Sequence, residues 1–275
     1  MDGPQRIADA FARAHAQGRA ALMPYLMGGF PTIEESVRIG GAYADGGADL
    51  VELGVPFSDP LADGPVIHAA GTEALRAGAT VAGVLDVCAQ LSQRLPVVLM
   101  LYTNLVLARG PEAFAARLAE VGASGLIVPD LPMEESGPLL AACDAAGIAL
   151  VPLVAPTTPD DRLAAIGARA RGFVYTVSVV GTTGERAALS DHFASVIART
   201  KAHTDVPVAL GFGIASPEQA VQAATSGADG VIVGSRLVRA AAEAEDPAAA
   251  VHALVAAFAD ALAAAGDTPS QPSGR

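Results

Sequence analysis

The 275-residue chain is 52% hydrophobic and carries a formal net charge of −12. That much negative charge repels phosphodiester backbones and anionic lipid, so neither nucleic acid nor a membrane surface is expected as a partner. A small phosphorylated ligand stays open, because backbone N–H groups bind phosphate without side-chain charge.

The opening MDGPQRIADA has no basic segment followed by an apolar one, which argues against a secretory signal. The Ala-rich stretch 247–265 is broken by His252 and Asp260, so no membrane span is expected. Cys88 and Cys143 fall in helical segments and read as buried thiols, consistent with a cytoplasmic setting.

Taken in chain order, helical spacing from Ile7 to Gln17 predicts a leading helix that caps the floor of the fold. Apolar, β-branched runs then recur at Ala21–Met27, Leu50–Leu53, Val97–Leu101, Gly125–Val128, Ile148–Val154, Phe173–Val177, Val208–Leu210 and Gly230–Val233. Their continuous apolarity suits strands buried on both faces, as in a parallel sheet. Between them lie helical segments such as IEESVRIGGAYADGG, PEAFAARLAEVG and SPEQAVQAATSGA, several opened by Ser, Thr or Pro and closed by Gly. The phrases Gly47-Ala48-Asp49, Gly122-Ala123-Ser124, Gly147-Ile148 and Gly227-Ala228-Asp229 each predict a helix ending in the left-handed conformation before a strand begins.

Eight strands with interleaved helices predict an α/β fold, a (β/α)8 TIM barrel with an extra N-terminal helix, over residues 1–265 as one domain. The polar, Pro/Ser-rich tail 266–275 reads as disordered. An open doubly wound sheet is the rival, but Gly28-Gly29-Phe30-Pro31 after the first strand lacks the GxGxxG turn.

In such barrels phosphate is often held by the loops after strands seven and eight. Gly211-Phe212-Gly213-Ile214 and Gly234-Ser235 stand there, with Ser235 able to open a helix whose dipole favours an anion. Each feature alone reads as a tight turn or a helix cap; together they point to a phosphate site. GTTGE at 181–185 reads either as a lid or as an ordinary flexible loop.

The stretch ELGVPFSDPLADGP at 52–65 holds three carboxylates and no basic residue. Glu52, within DLVELGV, should point into the barrel mouth, where desolvation raises its pKa toward a value useful for proton transfer. Asp63 reads either as an acid poised over the cavity or as an Asx-turn residue, and Asp59 as an Asx-turn or surface residue. The five histidines lack metal-ligand spacing, so no metal is expected. The only lysine, Lys201, sits in a helical segment, which disfavours Schiff-base chemistry.

These motifs resemble the tryptophan synthase alpha chain family. The resemblance rests on ELGVPFSDPLADGP, Leu101-Tyr102-Thr103-Asn104-Leu105, Pro129-Asp130-Leu131-Pro132, Tyr175, Gly181 to Gly184, GFGIASPEQA and VGS at 233–235, in order over roughly residues 20–240. It implies cofactor-free retro-aldol cleavage of indole-3-glycerol phosphate to indole and glyceraldehyde 3-phosphate. By resemblance Glu52 is the acid/base, Asp63 stabilises the indole N–H, and Tyr175 orients Glu52. Leu101 and Phe212 pack the indole ring, and Gly184, Gly213, Gly234 and Ser235 hold the phosphate.

The resemblance also implies a beta chain carrying pyridoxal phosphate, an alpha2-beta2 tetramer, and a contact surface at Pro56, Asp59, Asn104, Leu105, Asp130, Leu131 and Pro132. Departures from the family's better-known pattern are Val179 and Val180 in the lid and Phe30 after the first strand. Two alternatives remain: a stand-alone lyase that releases indole, and a non-catalytic phosphate-binding subunit that activates a partner.

Overall fold

A computed structural model describes residues 2–177, 186–211 and 213–266, with side chains left undescribed over 186–193. Its elements in order are α1 (Gly3–Ala16), β1 (Ala21–Met27), α2 (Ile33–Asp45), β2 (Val51–Gly54), α3 (Pro65–Arg76), α4 (Val81–Leu91), β3 (Val97–Met100), α5 (Thr103–Leu107), α6 (Pro111–Glu120) and β4 (Gly125–Ile127). The second half holds α7 (Gly137–Ala146), β5 (Ala149–Leu150), β6 (Leu153–Val154), α8 (Asp160–Gly167), β7 (Val174–Val177), α9 (Arg186–Lys201), β8 (Val208–Gly211), α10 (Pro217–Thr225), β9 (Gly230–Val233), α11 (Ser235–Glu243) and α12 (Pro247–Gly266).

The strands lie in the order β5-β4-β3-β2-β1-β9-β8-β7-β6, and every described pairing is parallel. The two end strands, β5 and β6, are halves of the single run expected from Ile148 to Val154. Pro152 separates them because it has no N–H to give a ladder. The Val151 amide donates back to Leu126 O at 2.9 Å, while Pro152 O accepts forward from the Tyr175 amide at 2.9 Å. One strand thus serves both neighbours, and the ring closes as an eight-stranded (β/α)8 barrel.

Strand alternation sorts the side chains into two sets. Met23, Leu50, Val98, Ile127, Val151, Phe173, Ala209 and Ile232 fill the barrel interior. Their sequence neighbours, such as Leu22, Val51, Leu53, Leu99, Leu101, Leu126 and Val231, pack outward under the helices. Helix α1 plugs the floor: Ile7, Ala10, Phe11 and Ala14 join the interior set, and the Phe11 ring lies 5.8 Å from that of Phe173. Asp2 caps this helix by accepting from Gln5 N at 3.0 Å.

The repeated Gly-Ala-Asp phrase does more than end helices. Gly47 (φ 95°) and Gly227 (φ 99°) take the positive φ expected of them. In addition, Asp49 Oδ2 accepts from Leu22 N and from Arg19, at 2.8 and 2.6 Å. Asp229 Oδ2 likewise accepts from Val208 N at 2.8 Å, while its Oδ1 accepts from Lys201 at 2.7 Å. Each acid thereby ties the base of one strand to the next and neutralises a cation at the barrel floor.

Helix α12 corrects one expectation. It runs unbroken through His252 and Asp260 and, by length and composition alone, could cross a membrane. Val251, Val255, Phe258 and Leu262 instead form a buried stripe, and the helix packs against α2, α10 and α11. It includes Gly266, the first residue of the expected tail; residues 267–275 lie outside the described set. Both cysteines are buried and free, and burial pushes each thiol up to about 12.

Candidate active site

At the C-terminal ends of the strands lies a cavity of about 330 Å3. Glu52 reaches it from β2, where its cross-strand Cα partners are Tyr25 on β1 and Val98 on β3. Because Val51 and Leu53 face outward, parity turns Glu52 inward. It is 2% exposed, and its Oε2 is buried without a hydrogen-bond partner among the described residues. Burial, with a smaller contribution from the Asp63 charge, lifts this carboxyl from an ordinary 4.5 to about 8. It therefore holds a proton at neutral pH.

Asp63 comes from the loop between β2 and α3 and is a half-buried second acid in the same cavity. Desolvation raises its pKa, while a hydrogen bond from Tyr102 and the nearby His68 oppose the rise. The Tyr102 hydroxyl donates to Asp63 Oδ1 at 2.7 Å and accepts from Ala62 N at 3.0 Å. Asp63 is thus anchored by a side chain rather than by a local Asx turn.

Two phenols, Tyr25 buried and Tyr175 half-buried, share the cavity. Tyr175 on β7 lies over Gly211, and Tyr25 lies over Gly54; a Cβ on either glycine would land on the phenol. Burial and the Glu52 charge both push Tyr175 well above the ordinary phenol range. For Tyr25 burial is the largest cause, followed by the charges of Asp63 and Glu52.

Another part of the lining suits an anion. Gly213 (φ 83°), Gly234 and Ser235 form it. Ser235 is the first residue of α11, whose cap is Gly234, and its hydroxyl makes no hydrogen bond among the described residues. As first-turn residues, Ser235 and Arg236 have no carbonyl behind them to take their N–H groups. Arg236 and Arg239 of the same helix line the cavity too, and neither is in an ion pair among the described residues.

The structure therefore brings together Glu52, Asp63, Tyr175, Gly213, Gly234 and Ser235. It moves one residue out: Leu101 is 1% exposed and packs in the outer cluster. Met100 lines the cavity instead, because a one-residue step along a strand changes the face. Phe212, Gly184, Val179, Val180 and the segment 181–185 lie outside the described residues. Tyr25, Met100, Ile232, Arg236 and Arg239 were not expected here. Parity with Met23, Val98 and the interior of β9 identifies the first three, and helical spacing from Ser235 the last.

On the expected contact surface, Asp59, Asn104 and Pro132 are exposed, while Leu105, Asp130 and Leu131 are half-buried. Pro56 is buried, because it follows β2 directly and faces α3 at Gly71; it does not belong to an exposed surface. Asp130 Oδ1 accepts from both the amide and hydroxyl of Thr103 at 2.9 Å, tying the loop after β4 to α5.

The family model for the tryptophan synthase alpha chain matches residues 11–266. The chain belongs to the tryptophan synthase alpha chain family. It is 49% identical over 235 residues to a tryptophan synthase alpha chain of Prochlorococcus marinus (strain MIT 9313), covering 85% of this chain and 86% of the relative. A Methanopyrus kandleri alpha chain is 45% identical over 236 residues, 86% of each chain. The crystal structure of the Legionella pneumophila tryptophan synthase alpha chain superposes with a TM-score of 0.87 at 33% identity, covering 98% of this chain and all of that one (100%). Family membership agrees with the barrel and with the motifs that carry Glu52 and Asp63.

Proposed function

We propose that this chain is the alpha subunit of tryptophan synthase and cleaves indole-3-glycerol phosphate to indole and glyceraldehyde 3-phosphate. One observation carries the reading: a buried acid, Glu52, with an oxygen unpartnered among the described residues, lines one cavity with glycine backbone, a helix N-terminus and two arginines that form no ion pair among the described residues. A phosphate held at Gly213, Gly234 and Ser235 leaves the rest of a substrate to run toward Glu52.

In that pose neutral Glu52 gives its proton to indole C3. The ring loses aromaticity and its nitrogen becomes cationic, which the ionised Asp63 carboxylate stabilises through the N–H. The Glu52 carboxylate then takes the proton of the adjacent glycerol hydroxyl. The C–C bond breaks, its electron pair restores the aromatic ring, and the hydroxyl carbon becomes the aldehyde. Glu52 ends as it began, protonated, and each step uses only side chains of this chain. Tyr175 shares the cavity with the acid and feels its charge, so its role is to orient Glu52, while Met100 and Ile232 offer apolar surface to the indole.

The surface around the cavity suits a protein partner. Leu61, 85% exposed, projects from the same loop as Asp59, and Leu107, 63% exposed, ends α5, which carries Asn104. We take the partner to be a beta chain bearing pyridoxal phosphate, in a cytoplasmic alpha2-beta2 complex to which indole is passed directly.

Purified protein mixed with indole-3-glycerol phosphate, with and without a beta chain, tests this by coupled detection of glyceraldehyde 3-phosphate. Slow turnover that rises strongly with the beta chain is expected. Full activity alone favours a stand-alone lyase, and no product in either mixture favours a non-catalytic activating subunit.

A further inference from the structure

The loop acid is only as useful as its placement, and its placement depends on a residue outside the family-derived site. Tyr102 follows β3 and lies 3% exposed between two loops. Its ring stacks on Phe57 at 5.3 Å and 26°, which ties it to the same loop as Asp63. That contact accounts for an aromatic ring but not for a hydroxyl. The hydroxyl makes two bonds, one to the carboxylate Oδ1 of Asp63 and one from the amide of Ala62.

We propose that Tyr102 is a positioning residue of the reaction, its hydroxyl clamping the loop between β2 and α3 so that Asp63 stands over the cavity as a carboxylate. A donor on Asp63 Oδ1 favours the ionised acid, whereas a phenol that also accepts from the backbone cannot rotate away. The charge needs this help. Asp63 is half-buried and shares the cavity with Glu52 and Tyr25, whose own ionisation its charge opposes. Besides the phenol, His68 of α3 is the one group among the described residues that counters its desolvation. Arg236 and Arg239 line the same cavity from α11. Without the phenol, the acid most exposed to a change of state is Asp63, and a neutral Asp63 cannot balance positive charge on the indole nitrogen.

The catalytic half of this inference rests on the function proposed above, so the experiment has two arms. Tyr102→Phe keeps the ring and its stacking on Phe57 and deletes only the oxygen. In the first arm, carboxyl 13C NMR follows Asp63 through a pH titration in the wild-type chain and in Tyr102→Phe, both without substrate. The midpoint is expected to rise by about one pH unit, the scale of a lost hydrogen bond to a charged acid. In the second, steady-state kinetics of both proteins should show kcat down by about ten-fold or more, KM changed by less than about two-fold, and the acid limb of kcat moved up with Asp63. Superimposable titrations, or an unchanged kcat with its acid limb in place, overturn the inference. Wild-type protein that cleaves no indole-3-glycerol phosphate overturns the proposed function instead, and the titration arm then decides the role of Tyr102 by itself.

Discussion

Glu52 is a carboxyl group that the folded protein prefers to keep neutral, and this preference has a cost in stability. Unfolded, it loses its proton near 4.5; folded, it holds it to about 8. Between those values the native state binds more protons than the unfolded one, so stability falls as pH rises through the window. Below it both states are protonated and the penalty is absent. Each pH unit of difference is worth about 1.4 kcal/mol. Asp63, raised in the same sense, adds to the trend.

Glu52→Gln should therefore be more stable than the wild type at pH 8 by a few kcal/mol, and about equal to it at pH 5. Calorimetric Tm values across this range check it, with a gain of several degrees expected at the alkaline end. Parallel Tm curves for the two proteins would mean that the carboxyl is not protonated where we place it. Glu52 was legible in the sequence because an acid inside DLVELGV has only one inward face available and no base nearby. Leu101 was misplaced for a related reason: a motif gives position to within a residue, and one residue reverses the face of a strand. Tyr25, on the neighbouring strand, becomes visible only once the register Tyr25 to Glu52 is known.

At the scale of elements, the strand order and nearly every strand position followed from runs of apolar residues separated by Gly-terminated helices. The fifth strand divides where Pro152 removes a donor, a split that composition alone does not announce. The Gly-Ala-Asp phrases were legible as helix ends, but their acids gained a role only from the fold. Asp49 is 9% exposed and holds both the β1 backbone and Arg19, itself 12% exposed in its side chain.

Asp49→Ala leaves a nearly buried guanidinium and an unpaired amide, and should cost about 3 kcal/mol in chemical denaturation. Because Asp49 lies at the floor, far from the strand ends that carry the chemistry, kcat per folded molecule should remain as in the wild type. A cost below about 1 kcal/mol, or a large loss of kcat, contradicts the division of labour between floor and mouth.

Across the whole molecule, an acidic chain presents one anion-receptive wall. The chain carries a net charge of −12, yet Arg236, Arg239 and the start of α11 line the cavity beside Glu52 and Asp63. The sequence disclosed the glycines and Ser235 of that wall through their places after the last two strands. The arginines escaped notice because their orientation depends on how α11 packs beside α3.

Cleavage needs a proton on Glu52 and an anchored phosphate in the same cavity, and Glu52→Gln separates the two. The decisive measurement is single-turnover cleavage of indole-3-glycerol phosphate by Glu52→Gln, with substrate affinity measured on the same protein. We predict a cleavage rate down by about three orders of magnitude or more, with affinity within about three-fold of wild type. A variant that cleaves within about ten-fold of the wild-type rate contradicts the account.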